Sequence, residues 1–179
     1  MSKQKESLYR EQKKIKPKID DIIANIISGE KLKLANDFIA YLRENKMNPA
    51  WSSANSWIVK YKGKSLLYIK LLDKSNSWRI MMPPDGGWED YDGEFQSAEH
   101  LKEIVWANIN YCTDCSSCKG WRKTILGKEC ENVCHISIHF MNPGVEEIES
   151  LKKLVQVKRK MISSWLELNS SNEAVKNNE

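Results

Sequence analysis

Five cysteines fall within one short stretch of the chain: Cys112, Cys115, Cys118, Cys130 and Cys134, with His135 directly after the last. Their spacing is C-x2-C-x2-C-x11-C-x3-C. Such a cluster, in a chain without secretory features, suggests metal or redox chemistry more than a disulfide framework. A C-x2-C loop lets two thiolates converge on one ion, and tetrahedral zinc takes four donors with Zn–S distances of about 2.3 Å. The expected zinc set is Cys112, Cys115 and Cys118, completed by Cys134, with Cys130 or His135 as alternatives. Four protein ligands leave zinc no open position, so this metal would be structural. The same run also begins an iron–sulfur ligand set, but its fourth cysteine and proline do not follow closely, which makes the cluster the lesser reading. A thioredoxin-like C-x2-C opens a helix, whereas this one follows a helix. The remaining thiol chemistry is a redox or nucleophilic cysteine among residues 112–118, its pKa lowered by Lys119, Arg122 or Lys123.

The aromatic residues supply a second candidate site. Seven tryptophans stand against three phenylalanines, and an indole joins a large flat surface to one N–H that wants a partner. Trp57 and Trp78 begin strands and read as core, with a pocket beside them. Trp88 and Tyr91 lie in the acidic loop PDGGWEDYDGEFQ with Glu89. Aromatic faces beside carboxylates attract organic cations. The expected ligand-binding set is therefore Trp57, Trp78, Trp88, Tyr91 and Glu89, with that loop as a lid and a small molecule or peptide as ligand. The bland alternative is a solvated loop with one aromatic tucked inward. His135 and His139 would pair on a helix, but on a strand they stand about 13 Å apart and read as exposed strand residues. No HExxH, GxSxG or Walker loop is present, so no catalytic residue is assigned and a non-enzyme is favoured.

These residues need a scaffold, and the periodicity supplies one. Pro17 opens a helix carrying Ile19, Ile22, Ile23, Ile26 and Ile27, and Gly29 stops it. A second helix over about residues 31–45 ends before Asn48-Pro49. The period then falls to two: Trp57, Val59 and Tyr61, then Leu67, Ile69 and Leu71 after Lys62-Gly63-Lys64, then Trp78, Ile80 and Met82 before Pro83-Pro84. Ser97 caps a helix with Leu101, Ile104, Val105 and Ile109 on its apolar stripe. Trp121–Glu129 and Asn132–Met141 read as strands, the latter with Cys134, Ile136, Ile138 and Phe140 on one face. Asn142-Pro143 starts the last helix. The order α-α-β-β-β-α-β-β-α predicts an α+β fold, an antiparallel sheet of about five strands with helices on one face.

With 179 residues the chain makes one domain, expected over residues 17–166. The formal charge of +4 resides in residues 1–16, where six basic side chains oppose two acidic ones. Residues 1–16 therefore read as a flexible basic tail, and 167–179 as a polar disordered one. A neutral body disfavours nucleic acid as a partner, although the basic tail leaves an RNA-associated role as an alternative. No apolar run spans a membrane and the N-terminus lacks a signal-like stretch, so the expected location is the cytoplasm.

Residues 99–160 carry ILGKE (Ile125–Glu129), NVC (Asn132–Cys134) and a strand ending in Asn142-Pro143, after a helix and a Cys-rich loop. In this, about a third of the chain resembles a group of small bacterial proteins with no assigned activity. The group commonly has an aromatic at the place of Cys130, which implies that Cys130 is the weaker ligand candidate. The leading reading is a binding module with a zinc- or thiol-bearing loop. A thiol-dependent enzyme is the alternative.

Overall fold

The computed structural model describes residues 3–73, 75–83, 99–113 and 120–176, without the side chains of 3–4, 135–137, 168 and 170–176. The described elements run α1 (Lys3–Ile15), α2 (Asp20–Ile26), α3 (Gly29–Glu44), β1 (Pro49–Ser53), β2 (Ser56–Tyr61), β3 (Lys64–Leu72), β4 (Ser77–Met82), α4 (Glu99–Ala107), β5 (Ile109–Tyr111), β6 (Trp121–Ile125), β7 (Lys128–Met141) and α5 (Val145–Lys176). The class is α+β, as expected, with seven strands in one sheet among the described residues rather than about five.

The sheet is antiparallel throughout and follows the path β1-β2-β3-β4-β7-β5, with β6 also pairing β7. Val133 pairs with both Tyr111 and Trp121, and Ile138 with both Ile109 and Met82. A strand has two edges, so β5 occupies one edge of β7 while β4 and β6 share the other. Residues 121–129 do not form one strand, because Leu126 and Gly127 both take positive φ (50° and 79°) and turn β6 tightly into β7. That is the conformation a two-residue hairpin requires.

Strand alternation puts Trp57, Val59, Leu67, Ile69, Leu71, Trp78, Ile80, Met82, Ile138 and Phe140 on one face. Phe38, Ile39 and Leu42 of α3 and Leu151, Leu154 and Val155 of α5 join them in a single core. Polar bonds fix how α5 lies against α3: the Tyr41 hydroxyl donates to the Lys152 carbonyl at 3.0 Å, and Gln156 donates to Asn45 Oδ1 at 3.0 Å. Lys158 is 2% exposed, and its ammonium donates to the carbonyls of Leu66 (3.3 Å) and Pro83 (2.9 Å). Residues 3–15, read from sequence as a flexible tail, form α1. Gln12 holds it to the β1–β2 turn: its amide donates to Asn55 Oδ1 at 2.7 Å and its carbonyl accepts from the Asn55 backbone at 2.8 Å. Tyr9 stacks on Trp51 beside this bond. Residues 167–176, read as a polar tail, continue α5.

Candidate functional site

The cysteine segment leaves the sheet from β5 and returns into β6, and both its ends meet β7 at one residue. The Cys112 amide donates to the Asn132 carbonyl at 2.6 Å. At the other end Gly120 takes φ 72°, and a β-carbon there would stand 2.6 Å from Asn132 Cα. Asn132 itself has φ 57°, so β7 bulges between Cys130 and Cys134. The sheet thus brings the stem of the loop, Cys130 and Cys134 to one stretch of β7. Among the described residues, however, no three His, Cys, Asp or Glu side chains converge as metal ligands. Cys115 and Cys118 lie outside the described residues, as does the side chain of His135.

A second irregularity, further along β7, changes which thiols face where. Val133 and Ile138 are both fully buried although their parity is opposite. Between Ile109 and Tyr111, two residues of β5, the partners on β7 shift by five residues, from Ile138 to Val133. Cys134 therefore does not continue the alternation of Ile138 and Phe140, and it is half-buried. Cys130 is 3% exposed and belongs to the core. Desolvation and a hydrogen bond to Cys130 push the Tyr111 hydroxyl above its ordinary pKa. Arg122, expected as a thiolate stabiliser, forms an ion pair with Glu131 instead.

Trp57 and Trp78 are wholly buried. The Trp57 indole donates to the Pro17 carbonyl at 2.9 Å, and Trp78 packs on the helix-covered face opposite Leu71. Both rings are core, and neither offers a surface to a ligand. Trp88, Glu89 and Tyr91 fall outside the described residues.

The opposite face of the sheet carries a cluster that the sequence reading passed over. Register places two rows of side chains side by side across β2, β3, β4 and β7. One row is Ile58, Tyr68, Met81 and His139, and the other is Ser56, Lys70, Arg79 and Met141. None of the eight belongs to the helix-side core, yet Met81 is only 7% exposed, between Tyr68 and His139. Lys70 and Arg79 are direct cross-strand neighbours, with β-carbons about 5 Å apart, and His139 is diagonal to Arg79. Buried Arg79 Nε and His139 Nε2 have no hydrogen-bond partner among the described residues. Burial, then Arg79, then Lys5 of α1 hold Lys70 below the usual lysine range. Burial and the Arg79 charge lower His139 to about 4, so it is neutral at pH 7. Among the described residues, the charged groups that shift Lys70 and His139 are the cations Arg79 and Lys5. The signal was present in sequence: the tight turn after Leu72 fixes the β3–β4 register, which sets Lys70 opposite Arg79.

No helix among the described residues is long and apolar enough to cross a membrane. In comparison with known proteins, no family model matches the chain, and neither a curated protein nor a solved structure matches it.

Proposed function

We propose that the protein is a binding module that holds an anionic ligand at the cationic cluster on the sheet face opposite its helix-side core. The observation that carries this reading is the half-buried trio Lys70, Arg79 and His139, which register gathers on one face with no carboxylate bonded to it among the described residues. Like charges brought together in partial burial repel and lose hydration, and a bound anion relieves both effects. Natural chains carry such unfavourable clusters at sites of function. The expected small molecule or peptide thus remains the ligand class, but the surface moves from the tryptophans to the opposite face. The test is calorimetric titration of the full chain with inorganic phosphate. Saturable binding, weakened at least tenfold in Lys70→Gln/Arg79→Gln, supports the reading; heats that the double variant leaves unchanged would contradict it.

The cysteine segment supports a second, structural role within the same module. Both ends of the loop close on Asn132, between Cys130 and Cys134, so a zinc ion held by Cys112, Cys115, Cys118 and Cys134 would clip the loop to β7. Elemental analysis of protein purified anaerobically tests this. About one zinc per chain, lost in Cys115→Ser, supports the clip, and metal-free protein with five titratable thiols overturns it.

A further inference from the structure

We propose that single-stranded nucleic acid binds where α5 passes the β2–β3 hairpin, on the helix side of the sheet. The inference goes beyond the anion cluster and uses none of its residues. Neither residues 56–72, which span the hairpin, nor residues 152–166 of α5 contain a carboxylate. The charges that meet at the crossing are Lys62 and Lys64 of the hairpin and Arg159 of α5. Lys62 Nζ donates to Ser163 Oγ at 3.1 Å. Lys64 Nζ stands 4.3 Å from the centre of the Trp165 ring, and the Arg159 guanidinium 4.8 Å from that of Tyr61. Among the described residues none of the three forms an ion pair. Arg159 donates instead to the neutral side chains of Asn45 and Gln156, at 3.0 Å each. The Ser163 hydroxyl, then Arg159 and Lys62, hold the Tyr61 phenol below its usual range.

This surface is open to solvent. Lys62 and Lys64 are exposed, and Trp165 is 50% exposed even with Lys64 over its ring. An exposed indole alone needs no explanation, but one set among cations that lack carboxylates fits a strand of phosphates and bases. Proteins that bind single strands combine a cationic track with aromatic rings on which bases stack. Here phosphates would take Lys62, Lys64 and Arg159 while a base stacks on Trp165. The bases of a duplex are already stacked on one another, so a duplex would reach the cations and not the ring. The body of the chain is neutral overall because α5 carries its acidic first turn, Glu146 and Glu147, at the far end of the helix.

The experiment follows the fluorescence anisotropy of a labelled oligouridine of about ten nucleotides as the full chain is added at several salt concentrations. With three phosphates neutralised, log K should fall against log salt with a slope of about −2. Lys62→Gln/Lys64→Gln should bring that slope to about −0.7. Trp165→Leu should weaken binding at least fivefold and leave the slope unchanged. All three side chains are exposed, so these variants should keep the fold, which thermal unfolding verifies. No binding at low salt would overturn the proposal. So would equal affinity for inorganic polyphosphate, or for the duplex of this oligomer with oligoadenosine, since neither offers an unstacked base. Affinity untouched by Lys62→Gln/Lys64→Gln would overturn it by placing the strand elsewhere. Phosphatidylserine vesicles that bind tighter than the oligomer, and lose that affinity in Trp165→Leu, would replace the strand with a membrane surface. None of these results bears on inorganic phosphate at Lys70 and Arg79, so the two readings fail separately.

Discussion

Replacing Arg79 with glutamine should make the protein more stable and a poorer binder at once. Most substitutions of a half-buried residue destabilise, so the sign of this effect discriminates. Lys70 and Arg79 are directly opposite on β3 and β4. With their charges about 6 Å apart, Coulomb repulsion amounts to about 0.7 kcal/mol at a water-like dielectric and about 2.8 kcal/mol at an effective value of 20. A partly exposed pair lies between these, at about 1.5 kcal/mol. Losing the packing of the arginine stem offsets part of this gain, which leaves a net stabilisation of about 1 kcal/mol. For a chain of this size that corresponds to a Tm higher by about 3 °C. The assay is thermal unfolding of wild type and Arg79→Gln at low and high salt. The gain should shrink at high salt, because screening weakens the repulsion being removed. Removing the charge should also raise the His139 pKa from about 4, readable by NMR titration of the ring. A variant less stable by 1 kcal/mol or more at both salt levels would refute the argument, since it would mean that Arg79 is favourably paired.

Three further outcomes follow from the geometry. His139 has a folded pKa of about 4, below its unfolded value near 6.5; its neutral form therefore supports the fold above pH 6.5, and that support is lost as pH falls from 6.5 through 4. Discounting for its exposed part, the loss is about 1–2 kcal/mol, and denaturant unfolding of His139→Gln should show it removed. Gly120→Ala places a β-carbon 2.6 Å from Asn132 Cα on a residue with φ 72°, and should cost about 2 kcal/mol or more in urea unfolding; unchanged stability would deny the close approach. Gln12→Ala removes the partner of the Asn55 amide and of the Trp51 indole, so it should cost about 1–3 kcal/mol and raise hydrogen exchange in α1, whereas unaltered exchange would show α1 to be undocked.

Where hydrophobic period was clean, the fold could be read directly. Helix α3 and the meander β2-β3-β4 were legible because Phe38, Ile39 and Leu42 repeat at helical spacing, and Leu67, Ile69 and Leu71 alternate. The hairpin through Lys62-Gly63 was legible for the same reason. Strand β1 was not, since Pro49 reads as a helix stop and its five residues alternate only between half-buried and exposed. Strand β5 has three residues, too few for any periodic signal, and it was absorbed into the preceding helix. The phase of β7 is not legible because its register against β5 shifts between Val133 and Ile138, and such an irregularity turns side chains on its two sides to opposite faces. Helix α1 is polar along its length and owes its place to one buried glutamine, a tertiary contact that composition does not reveal.

The candidate site was only half legible. The cysteine spacing identified a segment of which the structure describes only the two ends, both held at Asn132, while tryptophan composition pointed to the core. The cationic rows arise from register between strands, and no single stretch of sequence contains Lys70, Arg79 and His139 together. Charge counting obscured them further, because the body of the chain is neutral overall.

The most direct test of the anion site is to follow the His139 ring by NMR while phosphate is added to the full chain. An anion seated between Lys70 and Arg79 offsets the charge that lowers His139. The ring pKa should therefore rise from about 4 in a saturable manner in wild type and show no saturable change in Lys70→Gln/Arg79→Gln. A His139 titration unmoved by phosphate, or moved equally in the double variant, would contradict the site.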